Sequence, residues 1–401
     1  MKLSIIKERK NPPDKRVVLS PNACKNLLDT FPNLNIKVES SENRTFTDNE
    51  YQKLNIEVGN DVSEGDVMLG VKEVPINTLV PNKKYFFFSH TIKKQPYNRN
   101  LLNAILDKNI ELFDHETIIN EKGVRLVAFG RYAGIVGAYN GLLAFGLKTN
   151  TFKLPKAETL EDQKELITEL QKITLQKIKI VLTGKGRVSN GVKEMLDGMG
   201  IKEVNVSDYL NNTFEEAVYT QLTVLDYNIR KDGKTIDKID FFNNPTAYKS
   251  NFIRFAEISD IYIAGHFYKN GSPYIFTRED AKLEKFNIKV VADISCDIDG
   301  PVASTIRPST IAEPIYGYDP LTEKEANYLN DGVIAVMAVD NLPNELPKDA
   351  SVGFGENFVK YVIPSFFNND KDGVLERARM TKNGKLTERF SYLQDYADGK
   401  E

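Results

Sequence analysis

Short apolar runs separated by polar, helix-like segments set the pattern of the first part of the chain. Leu3–Ile6, Val67–Gly70, Tyr85–Phe88 and Glu111–Asp114 are apolar, rich in β-branched or aromatic residues, and bounded by turn formers. Such runs read as buried strands. The intervening segments, among them one near Asn98–Asp107, read as helices. From residue 36 to 114 this alternation predicts βα units, and hence a parallel sheet covered by helices.

The pattern then changes. GVRLVAFGRYAGIVGAYNGLLAFGL, residues 123–147, is helical in period but crowded with Gly and Ala. Glycine costs about 1 kcal/mol per helix position relative to alanine, so the segment must pack closely on another helix or a cofactor. A polar linker at 148–158 follows, then an amphipathic helix carrying Leu160, Leu166, Ile167 and Leu170. Residues 177–208 predict a strand at Ile178–Leu182, a tight turn at Gly184–Gly186, a helix at Val188–Met199 and a second strand at Glu203–Val206. Further strands are expected at Ile258–Ala264, Asn287–Ala292 and Val333–Val339, and a helix at Phe354–Ile363 packs back on the first domain. The expected architecture is α/β: two Rossmann-like domains with parallel sheets flanked by helices, and a cleft between them. Residues 1–140 plus 325–401 form one domain and 150–324 the other.

Composition narrows the choice. The chain has 401 residues with 53 basic and 56 acidic side chains, which suits two domains with proper cores. The near balance of charge predicts neither a nucleic-acid nor a membrane partner. No amino-terminal apolar segment predicts a signal peptide, and no run near 20 apolar residues predicts a membrane span. Cys24 and Cys296 make no disulfide framework. A cytoplasmic protein, monomer or homodimer, is expected.

Two places carry chemistry. The run at Val67 delivers Lys72 and the run at Tyr85 delivers His90. Neighbouring parallel strands would set both at one carboxyl edge, where open α/β sheets bind ligands. Burial that lowers the lysine pKa would make them an acid/base pair. In the second half, Gly184, Gly186 and Gly191 give G-x-G-x-x-x-x-G between a strand and a helix, with Arg187 at the helix start. Such glycines let backbone N–H groups approach a pyrophosphate. Asp208, 22 residues after Gly186, stands near where an acidic residue grips a ribose diol and favours NAD over NADP. His266 could face the cofactor cleft, but reads rather as a structural or surface residue. The acidic cluster Asp293, Asp297 and Asp299 has no histidine partner and predicts no metal site.

LGVKEVP followed by FFFSHTIKKQ resembles the amino-terminal domain of the alanine dehydrogenase, transhydrogenase and saccharopine dehydrogenase superfamily, in particular lysine-forming saccharopine dehydrogenase and the lysine–2-oxoglutarate reductase half of bifunctional enzymes. KERK-x-P-P-x-x-R-V-x-L-S-P, AFG-x-x-AG, DISCDIDG and Val339-Asp340-Asn341-Leu342 extend the likeness along nearly the whole chain. The resemblance implies catalytic roles for Lys72 and His90, which are interchangeable at this level. It implies substrate contacts from Arg16, Gln95, Arg125, Phe129, Ser295 and Asp297. Gly184, Gly186, Arg187, Asp208, Phe267, Val339, Asp340, Asn341 and Leu342 would hold the cofactor, NAD or NADP. Many relatives have histidine where Asn341 stands. The implied reaction joins saccharopine to lysine plus 2-oxoglutarate by hydride transfer. Two rivals are an alanine dehydrogenase-like enzyme for a small substrate and a non-catalytic nicotinamide-nucleotide-binding protein.

Overall fold

The computed structural model describes residues 1–400, and the chain divides into two compact units. The first comprises Met1–Phe129 and the residues from Pro347 onward; the second is Gly130–Leu346.

The first unit is built on six strands: β1 (Lys2–Ile5), β2 (Asn35–Glu39), β3 (Glu57–Gly59), β4 (Val67–Leu69), β5 (Lys84–Phe87) and β6 (Glu111–Asp114). Their order is β3-β2-β1-β4-β5-β6, and every pair is parallel. The chain reverses its direction of growth between β1 and β4, which opens a crevice at the carboxyl ends of these strands. The apolar runs are strands because both faces are covered. β4 and residues Tyr85–Phe87 of β5 are buried, and Phe86 stacks on Phe113 with centroids 4.6 Å apart. Local signals set the helix starts. Ser20 accepts from Ala23 N–H before Pro21–Thr30, and Thr47 with Glu50 forms a full capping box before Asp48–Gln52. Such caps contribute about 1 kcal/mol each. The helix Pro347–Tyr361 belongs to this unit, where Ser351 Oγ accepts from Val17 N–H at 2.9 Å.

The second unit is built on an eight-stranded sheet. Lys202–Glu203, Val218–Leu222, Lys179–Thr183, Ile261–Ala264, Val290–Asp293 and Ile334–Met337 lie side by side in that order, all parallel. Ile315–Asp319 and Lys324–Ala326 extend one edge antiparallel, so this sheet is mixed where a purely parallel one is expected. The run expected at Val333–Val339 forms a strand here, and the unit extends to Leu346.

The glycine-rich helix runs from Gly130 to Thr149, and residues 123–129 before it are not helical. The helix lies wholly in the second unit and crosses Arg187–Gly198 at backbone contact. A Cβ on Gly134 would stand 1.9 Å from Val188 O, and one on Gly191 2.0 Å from Arg131 O. Only residues without a side chain allow that approach. The close packing demanded by the composition is therefore helix on helix. Among the described residues no helix is long and apolar enough to cross a membrane.

Candidate active site

Four adjacent strands of the first unit end on polar side chains. β1 leads to Glu8, Asp14 and Arg16, β4 to Lys72 and Glu73, β5 to Ser89 and His90, and β6 to His115 and Glu116. Lys72 and His90 thus stand at the same sheet edge, three residues past neighbouring strands.

Lys72 is held through its backbone. The two oxygens of Glu8 accept from Val71 N–H at 2.7 Å and Lys72 N–H at 2.8 Å, clamping the turn that presents the lysine. Burial pushes the Glu8 carboxyl up to about 7 in spite of these donors. Burial, then the nearby Arg16 charge, lowers the Lys72 ammonium from its ordinary value. Both effects favour a neutral amine that can take a proton.

Arg16 is buried and grips Asp14 bidentately, Nε to Oδ1 at 2.9 Å and Nη2 to Oδ2 at 2.6 Å. Burial alone would raise the Asp14 carboxyl, but the guanidinium outweighs it and holds the group near 2. The Arg16 Cζ lies 4.3 Å above the Phe129 ring, which stacks on Phe354 at 4.4 Å. The expected carboxylate-binding arginine therefore already holds a carboxylate of its own chain, on one edge of its fork.

His90 sits between two carboxylates. Nε2 lies 3.6 Å from Glu73 Oε1, and Nδ1 lies 3.6 Å from Glu116 Oε2. Glu116 Oε1 lies 3.7 Å from Arg125 Nη1 and 3.9 Å from Lys93 Nζ. Burial would raise Glu116, but the neighbouring His90 ring and the Lys93 and Arg125 charges bring it below its ordinary value. The His90 backbone is left-handed, with φ 56°. That conformation costs a non-glycine residue on the order of 1 kcal/mol and needs support. Asp114 supplies it next door, accepting from Ser89 N–H at 2.8 Å and Ser89 Oγ at 2.5 Å. His115 lies below, fully buried among Phe86, Phe88, Phe354 and Phe358, with Nε2 2.9 Å from Gly70 O. Burial pushes it down to about 3, so it stays neutral.

The structure gathers Lys72, His90, Arg16, Arg125 and Phe129 in this unit, at one end of its sheet. Gln95 is exposed on the segment after His90 and accepts from Tyr97 O–H at 2.6 Å. Glu8, Asp14, Glu73, Asp114 and Glu116 escape sequence reasoning, although Asp14 stands two residues before Arg16 and Glu73 directly follows Lys72.

The second unit presents a barer edge. Lys179–Thr183 runs into Gly184, whose φ of 100° suits glycine, and a Cβ there would meet Gly265 O at 2.6 Å. Gly186 caps the twelve-residue helix Arg187–Gly198 with open space around its missing Cβ. Strand, glycine turn and helix amino terminus fit a pyrophosphate. Gly191 is instead taken up by the helix crossing. Asp208 does not flank this turn. The second strand is only Lys202–Glu203, and Asp208 lies exposed in the helix Val206–Asn211, bound to Asn205. The strand beside Lys179–Thr183 is Val218–Leu222, where Gln221 Nε2 donates to Gly184 O at 3.0 Å and Asp226 follows. Ser295 Oγ donates to the buried Asp293 at 2.7 Å, and Asp297 is exposed in the next turn. Phe267 is 76% exposed, Val339 and Leu342 are buried, Asp340 is exposed and Asn341 half-buried.

Residues 4–136 match the family model for the alanine dehydrogenase/PNT amino-terminal domain. Over these residues, about a third of its length, the chain is similar to that domain. The matched segment holds Glu8, Arg16, Lys72, His90, Glu116 and Arg125. Along its full length the chain is 26% identical to mouse "Alpha-aminoadipic semialdehyde synthase, mitochondrial", spanning 48% of that protein, so it covers about half the length of such relatives. It is also 26% identical to "Saccharopine dehydrogenase [NAD(+), L-lysine-forming]" of Candida albicans, over 92% of this chain and 93% of that one. A solved L-alanine dehydrogenase shares the fold, with a TM-score of 0.68 at 15% identity and 99% coverage of both chains.

Proposed function

We propose that this chain is a nicotinamide-dependent amino-acid dehydrogenase that interconverts saccharopine with lysine plus 2-oxoglutarate. The observation that carries the reading is the cluster of Lys72, His90, Arg16 and Arg125 at one sheet edge. The likeness to a lysine-forming saccharopine dehydrogenase over most of both chains supports it. The turn at Gly184–Gly186 and the first turn of Arg187–Gly198 would hold the pyrophosphate of the cofactor. The nicotinamide, when bound, supplies the hydride acceptor or donor for the carbon bearing the secondary amine.

The chain's own residues do the rest. Saccharopine carries three carboxylates, and Arg125 and Arg16 meet two of them. Lys72, its ammonium destabilised by burial and by Arg16, takes the proton of the secondary amine. His90 exchanges a proton with water during hydrolysis of the imine, with Glu73 and Glu116 orienting its two nitrogens. The test is NADH oxidation with lysine plus 2-oxoglutarate, beside pyruvate plus ammonia, each repeated with NADPH. Turnover with the first pair is expected. Efficient use of pyruvate and ammonia with no response to lysine would sink the saccharopine reading, and turnover with neither would favour a binding protein. The NADH-to-NADPH ratio gives the phosphate preference.

A further inference from the structure

His266 stands two residues past the strand Ile261–Ala264 and is nine-tenths buried. Its neighbour Gly265 touches the nucleotide turn, since a Cβ on Gly184 would meet Gly265 O. Ser189, in the first turn of the helix Arg187–Gly198, also donates to Gly265 O at 2.9 Å. His266 therefore stands beside the glycine turn, at the point where strand order reverses about Lys179–Thr183. Its Nδ1 lies 2.9 Å from Thr183 Oγ1 and 3.4 Å from Tyr262 OH, and those two hydroxyls lie 3.0 Å apart. Thr183 and Tyr262 are fully buried. If Tyr262 donates to Thr183 and Thr183 to Nδ1, the imidazole proton sits on Nε2. That atom is buried and has no partner among the described residues. A buried donor left unpaired is a standing cost to the fold. Burial keeps the ring neutral, at about 4, so no charge explains its place.

We infer that His266 donates a hydrogen bond from Nε2 to an oxygen of the bound dinucleotide, with Thr183 and Tyr262 fixing its tautomer. This rests on the dinucleotide reading of the second unit. The oxygen belongs to the pyrophosphate or to the ribose on its nicotinamide side, and both are acceptors of the same kind. His266 is then a positioning residue for the cofactor, supplied by a side chain at an edge otherwise built from glycines.

The chain has three histidines, His90, His115 and His266, so the imidazole nitrogens of the whole protein can be followed by ¹⁵N NMR. On adding NADH, His266 Nε2 should shift as a newly hydrogen-bonded N–H while buried His115 stays still. ADP reproducing the shift would assign the pyrophosphate; ADP-ribose but not ADP would assign the ribose. Asn and Gln variants separate support from contact. His266→Asn can keep the Thr183 contact but has no Nε2, and should weaken NADH binding about threefold to tenfold. His266→Gln reaches as far as Nε2 and should restore much of it. Neither an NADH-dependent shift nor a loss in His266→Asn, in a parent that binds NADH, would overturn the inference alone. A parent binding neither NADH nor NADPH would overturn the dinucleotide reading and this inference with it.

Discussion

The two sheets share a plan and differ in what their carboxyl edges carry. In the first unit the edge is crowded with charge: Glu8, Asp14, Arg16, Lys72, Glu73, His90 and Glu116 follow four neighbouring strands. In the second the edge around Lys179–Thr183 offers glycines, hydroxyls, one neutral imidazole and, at the turn itself, the cations Lys185 and Arg187 but no carboxylate. The first edge acts through side chains whose protonation is set by burial and by each other. The second acts through their absence, leaving backbone for a ligand to approach. Carboxylates placed beside a pyrophosphate would repel it, and bare backbone could not move protons.

Breaking the first edge should give the largest effect. Lys72→Met is expected to lower turnover by about 10²–10⁴ while NADH affinity stays near normal. An equal loss of NADH affinity would show that the division of labour is wrong. In the second unit, Gly134→Val drives a side chain into Val188 O and should cost about 1–3 kcal/mol or more, read as a lower Tm. An unchanged Tm would mean that the helix crossing can open. Asp14→Asn should cost about 2 kcal/mol at neutral pH, since Asp14 falls from 3.8 to about 2 on folding. The sign is that of a depressed carboxylate: its contribution is present above the unfolded pKa and is lost as pH falls through 2. Parent and variant should therefore converge in strong acid, which pH-dependent urea unfolding would measure. Arg125→Met should raise the KM for 2-oxoglutarate about tenfold, as loss of one charge-assisted contact of about 1.4 kcal/mol implies, with KM for NADH unmoved. The smallest effect belongs to Asp208→Ala. It should leave NADH affinity near the parent value, while Asp226→Ala, just past the strand next to Lys179–Thr183, should weaken it. The reverse order would return the ribose to Asp208.

Much of the first edge was legible because strand ends are local features. Val67–Gly70 and Tyr85–Phe88 declare themselves by composition, and a residue just past a strand must lie at the strand's end, so Lys72 and His90 could be paired from sequence. The clamps were not legible. Glu8 reaches Lys72 N–H across 64 residues, and no local pattern encodes that contact. The strand next to the glycine turn was missed for a related reason. Order along the chain was taken for order in the sheet, but the two-residue strand Lys202–Glu203 lies outside Val218–Leu222. Glycine crowding in residues 123–147 announced a tight contact without naming the partner, because a missing side chain says how near a neighbour comes and not which one.

The seclusion of two imidazoles makes the third a chemical handle. His115 is closed off entirely and His266 nearly so, while the His90 side chain keeps a fifth of its surface open. An acylating reagent such as diethyl pyrocarbonate should therefore mark the folded protein at His90 first. Adduct mass would count a single event, and slower marking in the presence of 2-oxoglutarate would report occupancy of the site without any turnover.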